Sequence, residues 1–561
     1  MSGNNMQKSG KRAGKRKLGC ILNLLVIIIA FLIVGLFSKD KTKESIKETL
    51  KLPQSASEYK LSDPRWKNEL TIVSGSENKE LEPILERFAK ENKVSLNMVY
   101  QGSIDIARSL MLDHVPYDAV WPASSMWITM GDKNHKVKYA ESVSTTPVVF
   151  GIRKSLAEKL GFTEGQVSVR DILKKIQSGE LKFCMTSATQ SNSGCSAYMG
   201  FLYALLDSPD MITEDMLKSP KLAEDIRALL LGVDRSSGSS EWLKTLFLNG
   251  NFDAMVNYES LILTTNKELI KQGREPLYIV YPYDGLSISD APLGYVNQGD
   301  KQKEELFLKL KEFIMSHDVQ KEIQAYGRRT GYIGIAQEHK QVWNKDWGAD
   351  TELIITPIRM PEAGTIIKAL NLYQTNFRKP SYTVYVLDYS GSMDGRPIEE
   401  LRMAMEEILL QDRAAKNLLQ ASSDEINTVI LFGTSIKNIE TAKGNVDIEN
   451  LYSAIKEHDA FGGTAMYEGL EKAFSHMSDV NLSRYNPAVI LMTDGKANGE
   501  KDYKDFESYY QKNGQDIPVF CISFGKADKE ELGLIAELTH ARVFDGSRDL
   551  IEAFRKAKGY N

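Results

Sequence analysis

The sequence predicts an α/β protein in three parts: one transmembrane helix, a two-lobed α/β domain, and a second α/β domain with a doubly wound, mostly parallel sheet. Three observations carry this expectation. A basic tail runs into an unbroken apolar stretch at residues 18–37. From residue 70, β-favouring segments alternate with amphipathic helical ones, as parallel sheets covered on both faces require. After Pro380 the alternation restarts with almost no linker. At 561 residues the chain is also too long for one ordinary domain.

The N-terminus comes first. "KSGKRAGKRK" is followed by "LGCILNLLVIIIAFLIVGLF", apolar except for Asn23. About 20 residues at about 1.5 Å each span roughly 30 Å, the thickness of bilayer hydrocarbon. A cleaved signal peptide would have a shorter apolar core and a small-x-small cleavage site. Here the stretch ends "GLFSKDKTK", so an uncleaved anchor is expected over residues 18–38. Lysines and arginines before it have no acidic company, which places tail 1–17 in the cytoplasm and the bulk of the chain outside the cell membrane. Residues 39–67 are polar, with no sustained apolar period, and read as a stalk. The net charge of −5 gives no sign of nucleic-acid binding. Of four cysteines, Cys20 falls in the apolar run and Cys521 in a core strand. Cys184 and Cys195 are either two buried thiols or a disulfide, which an extracellular space permits.

Residues 68–378 form the first α/β region. "LTIVSG", "SLNMVY" and "YDAVWPA" read as strands, and "NKELEPILERFAKENK" and "SIDIARSLMLD" as helices. "VSTTPVVFGIRK" leads out to a second lobe with the strand "LKFCMTS" and the helix "SGCSAYMGFLYALL"; "EPLYIVYPYDG" lies near the return. In order, "SGSENKELEPILERFAKE", "VYQGSIDIARSL", "YDAVWPASSMW", "TSATQSNSGCSAY" and "YPYDGLSISDAPLGYV" resemble bacterial extracellular solute-binding proteins, the periplasmic-binding-protein type. That resemblance implies two lobes joined by crossing strands, with ligand in the cleft. The candidate contacts lie where strands run out into helices, where free backbone N–H groups favour an anion. They are Ser76 and Glu77, Gly102 and Ser103, Ser124 and Ser125, and Thr189, Ser191, Asn192, Ser193 and Gly194 of the other lobe. The same residue types also serve as plain helix caps. Tyr258, Glu259 and Asp284 are weaker candidates, because an acidic group opposes an anion, and Trp121 and Trp127 are stacking candidates or structural.

Residues 379–561 form the second α/β region. "YTVYVLD", "NTVILFG", "PAVILMTDG", "IPVFCISFG" and "ARVFD" read as its strands, with amphipathic helices between. Ligands of such sheets bind beyond the carboxyl ends of the strands. Three loops should meet there, carrying Asp388, Ser390 and Ser392, then Thr464, then Asp494. This Asp-x-Ser-x-Ser, Gly-Gly-Thr and Thr-Asp-Gly pattern resembles the metal-ion-dependent adhesion site (MIDAS) of von Willebrand factor type A (VWFA) domains, whose fold is Rossmann-like. Three hydroxyls and two carboxylates suit a hard cation, Mg²⁺, with Mn²⁺ or Ca²⁺ as alternatives. With so little negative charge around it, such an ion can accept a carboxylate from a protein partner.

An enzyme is not expected: the seven histidines are scattered, and no nucleophile elbow or phosphate-binding loop is present. The expected function is a membrane-anchored binding protein that takes a solute or peptide in its cleft and a protein partner through Mg²⁺. The alternatives are a solute-feeding subunit of a transporter, or an envelope assembly or stress factor with a non-binding cleft. The two sites are expected on separate domains, acting independently.

Overall fold

The computed structural model describes residues 57–331, 334–352, 356–514, 516–547 and 549–560. The basic tail, the expected transmembrane helix 18–38 and most of the expected stalk lie outside these residues. Among the described residues no helix is long and apolar enough to cross a membrane.

The first sheet begins inside the expected stalk, which is a correction. β1 (Ser57–Leu61) pairs antiparallel with β3 (Val94–Tyr100). Its Tyr59 and Leu61, two apart and so on one side of the strand, pack against the lobe's core. Five residues with so few apolar positions leave little periodic signal, which is why the segment reads as polar linker. β2 (Asn68–Ser74) lies between β3 and β4 (Ala119–Trp121), parallel to both, and β5 (Val137–Ser142) forms the far edge.

The chain then crosses into a second sheet. It holds β6 (Thr146–Arg153), β7 (Phe183–Thr186), β8 (Val233–Ser237), β9 (Ala254–Tyr258) and β10 (Leu277–Val280), in the order β10-β6-β9-β7-β8, with β11 (Ile288–Ser289) on β6. β12 (Pro292–Val296) returns between β4 and β5 of the first sheet. The two crossing segments touch, Val143 N–H donating to Ala291 O at 3.3 Å. These are two lobes on a double crossover. The lobes meet directly: Ile104, Ala107, Met126 and Trp127 of the first lobe join the apolar core of the second.

The third sheet contains β13 (Ser381–Asp388), β14 (Ile426–Phe432), β15 (Ile436–Lys443), β16 (Asn486–Thr493), β17 (Val519–Ser523) and β18 (Val543–Asp545). Their order is β15-β14-β13-β16-β17-β18, all parallel except the edge strand β15. Residues of β13 are buried throughout, as a central strand covered on both faces must be. Two separate apolar clusters fill the two faces.

A final helix, Leu550–Gly559, was not anticipated from the sequence. It packs on the third sheet through Ala553, Phe554 and Ala557 and turns its charged side toward the two lobes. Its Arg555 donates to Asp105 of the first lobe at 2.8 Å. Around it, Arg108 reaches Lys416 O at 3.2 Å, Arg235 reaches His540 O at 3.2 Å, and Gln374 reaches Gln420 O at 3.0 Å. Both lobes and the third sheet therefore fall in one contact unit.

Candidate functional site

A cavity of about 160 Å³ lies where the lobes and the last helix meet. Its first-lobe wall is the loop after β2, with Ser76 and Glu77, and the loop after β3, with Gly102 and Ser103. Ser191 and Asn192 line it from the second lobe. These six expected residues are brought together. Arg328 holds the first loop in place, donating to Asn78 Oδ1 at 2.8 Å and to Glu77 O at 2.5 Å. Burial pushes the Glu77 carboxyl up, with Arg328 opposing the rise.

The remaining cleft candidates do not line this cavity. Ser193 is fully buried behind it, with hydroxyl contacts to Thr186 at 2.8 Å and Ser240 at 2.7 Å. Thr189 is buried with its hydroxyl 3.1 Å from that of Ser187. Gly194 is a packing residue: a β-carbon there would lie 2.2 Å from Thr186 O, so helix Asn192–Leu205 can approach β7 only with glycine at this point. Ser124 caps helix Ser125–Gly131, and the Ser125 N–H donates to Asp290; both face a separate groove of about 550 Å³. The hydroxyls of Ser193, Thr189 and Ser124 are thus taken by local backbone or side-chain partners, the usual fate of a cap residue.

The weaker candidates resolve in the same way. Glu259 is fully buried and held by Arg329 at 2.7 and 2.8 Å. Asp284 accepts the Val169 N–H at 2.9 Å. Trp121 and Trp127 are buried, donating to Ala291 O at 3.0 Å and Asn192 Oδ1 at 2.6 Å. Tyr258 does line the cavity, its hydroxyl accepting from Asn192 at 2.9 Å. Cys184 and Cys195 are free buried thiols, and burial pushes the Cys195 thiol up to about 12.

Sequence reasoning missed much of the lining: Lys79, Tyr100, Gln101 and Asp105 in the first lobe, and Gln190, Gly238, Ser239 and Ser240 in the second. It also missed Arg542, Lys556 and Tyr560, which come from the third sheet's domain. The expectation that the cleft belongs to the first domain alone is thereby corrected: its lining comes from both domains. Tyr560 lies against Gly238, where a β-carbon would come within 2.2 Å of its ring. Gln101 and Gln190 flank the predicted strand ends and were within reach of that logic, which did single out Tyr258 as a weaker candidate. The three residues from the last domain carried no signal.

The second site forms at the carboxyl edge of the third sheet. Asp388 ends β13, fully buried, and accepts the Ser390 N–H at 2.7 Å and the Thr493 hydroxyl at 2.5 Å. Ser390 Oγ and Ser392 Oγ lie 3.0 Å apart, and Ser392 donates to Asp494 Oδ1 at 2.7 Å. Thr464 arrives on a loop tied to both neighbours: Gly391 N–H donates to Gly462 O, and Thr464 N–H to Asn498 Oδ1. A β-carbon on Gly495 would sit 3.6 Å from both Ser392 Oγ and Thr464 Oγ1, so the third hydroxyl shares the same spot. All five expected metal residues converge. Burial pushes the Asp388 carboxyl up, and Asp494 adds to the rise. Two carboxylates and three hydroxyls in one loop cluster are a donor set that suits a small divalent cation.

Both candidate sites are built from loops distant in sequence that the sheets bring to one edge. Residues 70–329 match the bacterial extracellular solute-binding protein family, and residues 384–553 match the von Willebrand factor type A domain. The chain therefore joins a domain of the first family to a domain of the second. Among curated proteins it is similar to inter-alpha-trypsin inhibitor heavy chain H4 of Sus scrofa, 29% identical over 157 residues, 26% of this chain and 16% of that protein. It is also similar to a von Willebrand factor A domain-containing protein of Dictyostelium discoideum, 30% identical over 152 residues, 26% of this chain and 15% of that protein. The chain thus spans only about a sixth of the length of these relatives. Among solved structures, the sulfate-binding protein SubI from Mycobacterium tuberculosis aligns with a TM-score of 0.39 and 16% identity, over 54% of this chain and 96% of that one. A von Willebrand factor type A structure from Catenulispora acidiphila aligns with a TM-score of 0.28 and 20% identity, over 33% and 43%.

Proposed function

We propose that the protein is a membrane-anchored surface receptor. It captures a small solute in the interlobe cleft and engages a carboxylate of a protein partner through a divalent cation, Mg²⁺ in the first instance. The anchor is the apolar run at residues 18–37, with the tail in the cytoplasm and both domains outside.

The observation that carries the adhesion half is the meeting of Asp388, Ser390, Ser392, Thr464 and Asp494 from three loops distant in sequence. These residues would hold the ion, and its contribution would be an electrophilic position open to a partner's carboxylate. Phe461 stands beside the cluster, 64% exposed, with the Lys437 ammonium 3.2 Å from its ring centre. An exposed aromatic next to a cation-binding position is a natural anchor for a protein partner. The capture half rests on the cavity and the family of the domain that surrounds it.

Thermal and urea unfolding with Mg²⁺ alone tests the adhesion half. Binding to the folded state should stabilise the protein by about 2.7 kcal/mol at a hundredfold excess over Kd. Asp388→Ala should abolish the increment. Equal unfolding curves in Mg²⁺ and in chelator would remove this half of the reading.

A further inference from the structure

We propose that the cleft is a composite anion site: the C-terminal segment of the VWFA domain forms one wall and supplies two of the cations, Arg542 and Lys556, that hold the ligand. This rests on the reading of the cleft as a solute site and assigns its ligand class and its missing wall.

The cavity is polar and incomplete in hydrogen bonds. Glu77 Oε1, Gln101 Oε1 and Gln190 Nε2 all have no partner, on residues only 9%, 8% and 8% exposed. Unpaired polar atoms this deep are costly unless a ligand or water meets them. Helices Ser103–Leu110 and Asn192–Leu205 both begin at the cavity, and neither has a side-chain cap on its first turn. Their first N–H groups therefore point toward the space with the positive ends of their dipoles.

The charges agree. Three basic residues line the cavity, Lys79, Arg542 and Lys556, against two acidic ones, Glu77 and Asp105. Asp105 is engaged by Arg555 at 2.8 Å and Arg108 at 3.2 Å, while Glu552 is shared between Arg555 at 2.5 Å and Lys556 at 3.6 Å, so Lys556 faces the cavity from one end of an ion pair. Glu82 and Glu241 act on Lys79 from the first and second lobes. Burial pushes Lys79 and Lys556 down, against the pull of Glu82 and Glu241 on the first and of Glu552 and Asp105 on the second. Arg542 is fixed by stacking, 5.2 Å from the Trp242 ring of the second lobe and 5.4 Å from Tyr560. A volume of about 160 Å³ is close to that of a cavity that holds one benzene molecule. The ligand class is therefore a small oxyanion, inorganic or a compact phosphorylated or carboxylated molecule. It would accept from the cations, the hydroxyls and Gln190, and donate a hydroxyl to Gln101.

Because both domains grip the ligand, its binding should tighten their docking. Calorimetry on the full chain with phosphate, sulfate, pyruvate and the neutral sugar glucose, at millimolar concentration, tests this. At least one anion should bind and glucose should not. Lys556→Met and Arg542→Gln should each weaken anion binding about tenfold or more. Lys556→Arg should keep it. Hydrogen exchange in residues 550–559 should slow when the anion binds. Gln190→Leu, on the solute-binding side, should weaken binding as well.

Anion binding lost in Gln190→Leu but unchanged in Lys556→Met and Arg542→Gln would overturn the composite wall and leave the cleft reading standing. Glucose bound in preference to anions would overturn the ligand class. Binding of none of the four would overturn both the cleft reading and this inference. If Arg542→Gln fails to fold, Lys556→Met and the exchange measurement decide the matter.

Discussion

Lys558 shows how far one residue can be set by its surroundings. Its side chain is buried, and its ammonium has no hydrogen-bond partner, nor do the Tyr385 hydroxyl and Glu425 Oε2. Burial lowers its pKa from 10.5 to about 8, with Arg378 adding to the fall and Glu425 opposing it. Between these values the unfolded chain keeps the proton and the folded chain does not. Stability should therefore rise with pH across that window, and the lysine should destabilise the fold most below about pH 8. Lys558→Met keeps the aliphatic stem and removes the charge. It should stabilise the protein by up to about 3 kcal/mol near neutral pH and by much less near about pH 10. Urea unfolding of both proteins at the two pH values is the check, and an equal increment at both would refute the assignment.

At the scale of elements, the helix Asn192–Leu205 is the pivot of the cleft. All but one of its residues are buried, its N-terminus opens into the cavity, and its first turn runs against β7. Gly194→Ala should force a backbone shift costing about 1–3 kcal/mol, seen as a lower urea midpoint without a change in slope. If the variant is as stable as the wild type, the close approach is not a constraint. Strands such as β2, β3, β13 and β16 were legible because they carry apolar runs; the buried central strands β9 and β12 were not read, being short and broken by Asn257 and by Pro292 and Gly294. β5 and β15 were not, because both are edge strands with mostly exposed or half-exposed residues. An edge strand needs only one neighbour and little burial, so it leaves no apolar period.

At the scale of the molecule, the lobes and the third sheet are joined by buried charge. Arg555 is 6% exposed, held between Asp105, 16% exposed, and Glu552, 7% exposed. Removing the guanidinium leaves two carboxylates short of a partner in a dry interface. Arg555→Met should cost about 3–5 kcal/mol in global unfolding, and early loss of the domain contact should split one transition into two. Breaking the exposed Lys218–Asp215 pair should change nothing measurable, since solvent screens it. A single unaltered transition in Arg555→Met would mean that the apolar contacts alone hold the domains together.

The sequence by itself determined the α/β class, the division into two folded domains and the five residues that meet at the edge of the third sheet. Each of these depends on local pattern: apolar periodicity, or a motif such as Asp-x-Ser-x-Ser whose spacing the turn after a strand dictates. It also placed Ser76, Glu77, Gly102, Ser103, Ser191 and Asn192 at the cleft, because strand ends in such sheets open on one edge. Only the tertiary structure decided which candidate hydroxyls were free to face a ligand. Ser124, Thr189 and Ser193 are the same residue types, but their hydrogen bonds are already used. The structure alone also brought Arg542, Lys556 and Tyr560 to the cavity. They belong to another domain, some 450 residues from Asp105, and a charged helix face looks the same in sequence whether it meets water or a neighbouring lobe.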